Sequence, residues 1–484
     1  MTTARLPLRA LAPFAAGSVG MGIWVTVPGL FLLYFLTDVL AVPPLAAGLV
    51  LLVPNIVDVV LHPWVGWLSD ADRSARGHRL RLMLVGCLVV LTFVAMFAVP
   101  WGLHGIPAAV WVAVVFVAGN LLYACYQVAY LATPADLGIG YHERTRLMGY
   151  RNVVITVGVL VSGVLAPLLA GEDPGVGDYA RMALVFGAVM LLAMLAGIGG
   201  VARLNRVAPG PRSAPGPGGG ERTAPGPGGG ERTAPGPGGG ERTAPGHRGG
   251  LLIALRDRQF RWLAGSYLTV AITMNLVLAG MPYFAEYVLG RAALTSLLIG
   301  AFMAPAVLAT PLWVLVARRI GKQRGLLAAQ AAFVAGSLVL ALGKAAGLPV
   351  LIGAVAVLGV AFAAMQLMPL SMVPDVIAAN GSGGAARAGS YTGLWTAAEA
   401  TGGALGPYAY SACLAVGGFV ATAAGEQVTQ SAGAIAAVRY GFTLVPAVLM
   451  AAAILLQRRY TLDGTAQSLG DGAVRGDEPA AVEG

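Results

Sequence analysis

Asp58 and His62 stand one helical turn apart inside the apolar run "VPNIVDVVLHPWVGWL", residues 53–68. At i and i+4 their side chains share a helix face. An ionised carboxylate in so apolar a segment costs roughly 3 kcal/mol even on a lenient insertion scale, so it needs a partner or an exchanging ion. A carboxylate and an imidazole at that spacing can hold one proton and titrate as a unit. Replacing an oxygen donor by imidazole favours H⁺ over Na⁺ as the ion held. Three readings stay open: a coupling proton, a structural pair that fixes its helix, and a metal-ion site. Glu399 is the second such acid, in "YTGLWTAAEATGG", with Trp395 one turn before it and Thr392 nearly two. That face joins an acid, an indole and a hydroxyl. It suits a cationic or hydrogen-bonding ligand, a helix contact, or a proton site independent of Asp58.

Other polar and aromatic residues fall in apolar runs: Trp24, Tyr126, Gln127, Tyr130, Asn275 and Gln366. The two amides are the stronger binding candidates, because a buried amide without a partner is costly. Aromatics in such runs more often pack than bind. Met365, Met368 and Met372 read as packing.

The elements that must carry these residues follow from composition. The chain has 484 residues, 57% hydrophobic and 11% charged, with mean hydropathy +0.75. A soluble chain carries roughly 25% charged residues. Twelve apolar stretches are long enough to cross a bilayer core of about 30 Å. They lie near 12–36, 45–69, 81–100, 108–132, 149–171, 180–203, 261–287, 293–317, 324–343, 348–374, 391–420 and 434–457. The N-terminus "MTTARLPLRALAPF" leads into a full span with no small-residue cleavage site, so the first span is expected to stay in place. Of 31 basic residues, only Arg181, Arg291, Lys344 and Arg439 fall on one side of the alternating loops. The positive-inside rule then places both termini in the cytoplasm. The net charge of +9 is thereby explained by topology rather than by nucleic acid. Arginine far outnumbers lysine, a usage that hints at a GC-rich bacterial genome.

Between spans six and seven, "APGPGGGERT" repeats at 214–223, 224–233 and 234–243. Such composition offers no buriable face and reads as a disordered linker. The expected organisation is an N-terminal six-helix bundle (1–204), a linker (205–255), a C-terminal six-helix bundle (256–460) and a disordered tail (461–484). The expected fold is all-α, twelve transmembrane helices in two pseudo-symmetric bundles. Cys87, Cys125 and Cys413 sit in separate spans, so neither a disulfide framework nor a metal site is expected. Enzyme readings find no motif, and the glycine-rich tract lacks the strand–helix context of a phosphate loop. No cofactor is expected.

"GWLSDADRSARGHRLR" at 66–81 puts Gly66, Asp70, Asp72, Arg73 and Arg76 at a membrane surface, a candidate cytoplasmic gate. Gly66 would let helices approach closely. "PLWVLVARRIGKQRG" at 311–325 ends span eight comparably, as an internal repeat would.

These residues bring the chain to a resemblance. It is similar to the major facilitator superfamily, and within it to the glycoside–pentoside–hexuronide:cation symporters typified by the melibiose permease. "LLYFLTDVL" (32–40), "DVVLHPWVGWLSDADRSARGHR" (58–79), "HERTRLMGYR" (142–151) and "MVPDVIAANGSGGAARAGSYTGLWTAAEATGGALG" (372–406) carry it. They resemble the end of helix one, helix two with its following loop, loop 4–5, and the segment from helix ten to eleven. The resemblance implies a substrate pocket between the bundles and a charged set in it, of which Asp58 and Arg151 remain. It also shows departures. The family's helix-one acid falls near Gly22, its second helix-two acid at His62, its helix-four acid near Tyr126 and its helix-eleven lysine near Ala400. A sugar substrate and a Na⁺ site both lose support.

The function expected is secondary transport of a small solute across a bacterial cell membrane by alternating access, as a monomeric, multi-pass, proton-coupled symporter. An exporter or antiporter of an amphipathic natural product is the alternative. A non-transporting receptor or scaffold is the reading from another class.

Overall fold

The structure, a computed structural model, describes residues 6–137, 139, 141–171, 174–208, 256–379, 388–426 and 428–462. Among these the chain is helical, with one isolated bridge between Leu40 and Ala423. The N-terminal half holds α1 (Leu8–Asp38), α2 (Pro44–Arg76), α3 (Leu80–Gly86), α4 (Val89–Phe97), α5 (Gly105–Asp136), α6 (Tyr141–Ala170) and α7 (Val176–Val207). The C-terminal half holds α8 (Arg258–Tyr283), α9 (Leu294–Ile320), α10 (Lys322–Leu340), α11 (Leu348–Ala379), α12 (Ala388–Val416) and α13 (Ala432–Gln457). Helices α3 and α4 make one crossing, interrupted at Cys87 and Leu88. Helix α8 runs on through a π-helical turn, Phe284–Val288.

Ten segments are long and apolar enough to cross a membrane. Helix α2, whose sequence stays mostly apolar on both sides of Asp58 as far as Leu68, and α12, rich in Gly, Ser and Thr, complete twelve crossings. Local chemistry sets several ends. Pro44 opens α2 at a position where its missing N–H is not needed, and Gly77 closes it with φ 73°. The Asp257 carboxylate accepts from the N–H groups of Gln259 and Phe260 to cap α8, and the Ser431 hydroxyl caps α13. The repeats at 214–243 lie outside the described residues, as does the chain beyond Leu462. Thr461 does not belong to a free tail. Its N–H donates to Gln259 Oε1 at 3.0 Å and its hydroxyl accepts from Gln259 Nε2 at 2.8 Å.

Within each half one helix is central: α1 packs on α6 and α7, and α8 on α12 and α13. Small residues allow the approach. A Cβ on Gly197 of α7 would lie 2.7 Å from Gly17 Cα of α1. The halves meet along α2 with α12, α6 with α9, and α1 with α8. Under exchange of the halves the first two contacts become each other and the third becomes itself, as a pseudo-twofold requires.

The two ends differ. At the end carrying the termini, every described ion pair lies within one half. At the opposite end, the segment around Thr422 is laced onto the end of α1: Ala41 N donates to Thr422 O (3.0 Å), Thr422 N to Thr37 O (2.8 Å) and Ala424 N to Val39 O (3.0 Å). That end is sealed.

Candidate functional site

Between the halves lies a cavity of about 270 Å³. Helices α1 and α6 line one wall; α8, α9, α11 and α12 line the other. Its polar groups are Thr26, Tyr267, Asn275, Gln366 and Glu399; the rest of the wall is apolar, including Phe302, Met303 and Phe362. Helix α8 supplies most of it, because Tyr267, Ala271, Met274, Asn275 and Leu278 recur at helical spacing on one face. One N–H of Asn275 is used on Ala271 O at 2.9 Å.

Glu399 is exposed to this space, and Tyr267 lines the same wall within electrostatic reach of its carboxylate. The Tyr267 ring stacks on Trp395 with centroids 3.9 Å apart. Trp395 is itself buried at 5% exposure. Trp395 is not among the cavity-lining residues and backs Tyr267, a residue the sequence reading did not single out. A signal existed, since Tyr267 and Asn275 are two polar residues eight positions apart on one helix. Thr392 is outside the residues whose side chains are described.

Four further candidates stand away from the cavity. Trp24 packs inside the N-terminal half against Phe93, Phe116 and Tyr123, with centroids 5.7–6.3 Å away. Its neighbours Val25 and Thr26 take the cavity face instead. Tyr126 and Tyr130 are fully buried and stack on each other. The Tyr130 hydroxyl donates to Phe14 O at 2.5 Å, and that of Tyr126 to Met194 O at 3.3 Å. Both hydroxyls thus meet backbone carbonyls of neighbouring helices, which explains how they are buried without a ligand. Gln127 is half-buried on α5 and does not line the cavity.

Asp58 also lies off the cavity lining, half-buried on α2. Tyr123, in the N-terminal half, stands within electrostatic reach of Asp58 and of Arg151. Arg151 donates to Asn152 Oδ1 at 3.0 Å, and its Nε is buried without a partner. The backbone of His62 belongs to α2; its side chain lies outside the described residues. Gly22, where the resemblance expects an acid, faces α6 so closely that a Cβ would sit 3.1 Å from Ile155 O and Val159 N. Among the described residues no group of three or more His, Cys, Asp or Glu could hold a metal ion.

At the α2–α3 turn, Asp72 pairs with Arg76 (2.5 Å) and Arg73 with Asp136 (2.9 Å). Arg79 is the hub that sequence reasoning passed over. It donates to Asp136 and Asp70 at 2.8 Å each and to the Ser69 hydroxyl at 2.6 Å, tying this turn to the end of α5. Lys322 does the same in the other half, reaching Asp375 at 2.6 Å and Ser371 O at 3.0 Å at the end of α11. Gly66 corrects an expectation: nothing lies within 4 Å of a Cβ there, so it mediates no close helix approach.

Two pseudo-symmetric bundles around a central cavity sealed at one end define a transporter of the major facilitator type. The chain belongs to the family described as MFS/sugar transport protein, whose profile matches residues 13–214 and 232–464. It carries the glycoside–pentoside–hexuronide:cation symporter pattern expected from its motifs, and it is not an enzyme family. An uncharacterized symporter of Synechocystis sp. is 33% identical over 172 residues, covering 33% of this chain and 31% of that protein. Sodium-dependent lysophosphatidylcholine symporter 1 of Xenopus tropicalis is 26% identical over 162 residues, 33% of this chain and 31% of its own. An inner membrane symporter of Escherichia coli is 26% identical over 173 residues, 34% and 37% of the two chains. The matched stretches span about a third of these relatives' length. In fold, the chain is similar to a bacterial homologue of the human lysosomal transporter Spinster, inward-facing and unoccupied. The TM-score is 0.65 at 15% identity, over 94% of this chain and 96% of that one. A bacterial homologue of ferroportin in an inward-facing state gives 0.62 at 13% identity, over 94% and 98%.

Proposed function

We propose that the protein is a proton-coupled symporter of a small amphipathic solute, working by alternating access. The observation that carries the reading is the cavity itself. It is closed on the side away from the termini, mostly apolar, and provided with one acid, Glu399, beside Tyr267 in the same lining. Such a wall favours a solute with an apolar body and a hydrogen-bonding or cationic group, which Glu399 and the Tyr267 ring would meet. Among the described residues no basic one lines it, which disfavours an anion. The arginine-rich loops support the end with the termini as the cytoplasmic one, so the conformation described is open inward.

Proton coupling is supported by Asp58 on α2 and by His62 standing one turn on, where the resemblance expects a second acid. A sodium ion is the second reading, favoured by relatives named as sodium-dependent symporters. A panel of small sugars and lysophosphatidylcholines, scored by thermal shift of purified protein at two pH values with and without Na⁺, tests both. The proposal expects an amphipathic member to stabilise the protein in Na⁺-free buffer, with a pH-dependent shift. Stabilisation only with Na⁺ would transfer the reading to sodium coupling.

A further inference from the structure

The end of α1 and the end of α8 carry the same heptad pattern. Tyr34-Phe35-Leu36-Thr37-Asp38-Val39-Leu40 aligns without a gap on Tyr283-Phe284-Ala285-Glu286-Tyr287-Val288-Leu289, and the Tyr, Phe, Val and Leu positions coincide. The backbones coincide too. Leu40 N donates to Phe35 O at 3.2 Å, and Leu289 N donates to Phe284 O at 3.0 Å, the same i+5 bond in both halves. In α8 it follows Pro282, which removes a donor from the last α-helical turn.

These two heptads face each other across the pseudo-twofold. Tyr287 donates to Asp38, its own counterpart, at a sequence separation of 249. Tyr34 donates to Glu286, a separation of 252, and the reciprocal contact joins Tyr283 to Thr37 at 2.7 Å, a separation of 246. Tyr34 and Tyr283, again counterparts, pack edge to face with centroids 5.2 Å apart. Residue i meets j′ and j meets i′: this is the bonding pattern of an isologous interface, built inside one chain. Thr37 also donates to Asp38, so Tyr283, Thr37 and Asp38 form a relay of hydroxyls ending on the carboxylate. Beside Tyr34 and Glu286 only about 20 Å³ of space remains, room for a single water. Four positions coincide, and each bond between the halves uses at least one position at which the heptads differ.

We propose that the two heptads are a twofold latch. Breaking the Asp38–Tyr287 and Tyr34–Glu286 bonds is the step that lets the end opposite the termini open. The proposal rests on the alternating-access reading, but its test needs no solute flux, so the two fail separately.

The test is a distance distribution between spin labels at Trp101 and Val428, exposed residues at that end on opposite halves. The full chain is used in liposomes, with Cys87, Cys125 and Cys413 replaced by alanine. The parent should give one short distance. Tyr287→Phe removes one oxygen, and Asp38→Leu removes the acceptor; each should add a longer-distance population, raising the open-to-sealed ratio about 10-fold. Asp38→Asn keeps an acceptor for Tyr287 and should resemble the parent. The sharpest arm is a swap. Asp38→Tyr and Tyr287→Asp each break the pair, but the double variant restores it with the halves exchanged and should recover the short distance. Unchanged distances in Tyr287→Phe and Asp38→Leu would overturn the latch. A swap no better than its single changes would overturn its twofold character.

Discussion

Glu399, Asn275 and Gln366 are polar residues in otherwise apolar helices, and all three line the central cavity. Their cost in a membrane makes such residues visible in a sequence, since each must find a partner, water or ligand. Aromatic residues lack that signal. Tyr126 and Tyr130 find backbone carbonyls within their own bundle, and only the spacing to Asn275 on the same helix sets them apart in the sequence from Tyr267, which reaches the cavity. Which face of a helix turns inward is a tertiary fact, and here it decided the matter. Glu399→Gln should weaken binding of the best member of the solute panel roughly 10-fold, about 1.4 kcal/mol. Titration calorimetry checks it, and unchanged affinity in well-folded protein would reduce Glu399 to a helix contact. Tyr267→Phe should have a smaller effect in the same direction, since it removes the hydroxyl but keeps the ring.

The crossing helices were legible element by element, because a span needs about 20 apolar residues whatever its neighbours do. Their ends were less so. The sequence reading closed the second span at residue 69, whereas α2 continues to Arg76. The added turns are polar and are held by contacts distant in sequence, with Arg79 joining Ser69, Asp70 and Asp136. The break between α3 and α4 and the π turn after Pro282 were invisible for a related reason: both are settled by packing rather than by hydropathy. Arg79 is nearly buried, at 7% side-chain exposure, against 14% for Asp136. Arg79→Ala would leave that carboxylate without its hub and should cost about 3 kcal/mol, read as a lowered melting temperature in detergent. Arg76→Ala, whose partner pair is 41% exposed on the arginine side, should cost under about 1 kcal/mol. Equal losses for the two would refute Arg79 as the organiser of this turn.

On the scale of the whole molecule, the sequence divides at its repeat tract, and the helices on either side close around their own central members, α1 and α8. The halves touch mainly through three helix pairs related by the pseudo-twofold, an arrangement that suits the proposed rocking of one half against the other. The tract between them is proposed to be a tether whose length matters little once it spans the gap. Deleting residues 214–243 should leave folding and transport within about twofold of the parent, measured as initial uptake rates in liposomes. A folded deletion variant without uptake would give the tract a further role.

The central claim is that solute and proton move together, with Asp58 carrying the charge. It is tested most directly by the internal pH of Na⁺-free liposomes holding the full chain and a trapped pH indicator. The best solute of the panel is added outside. The account predicts a solute-driven proton influx in the parent. In Asp58→Asn the influx should vanish while downhill solute exchange persists. Solute entry with no proton movement in the parent, or entry only when Na⁺ is supplied, would contradict it.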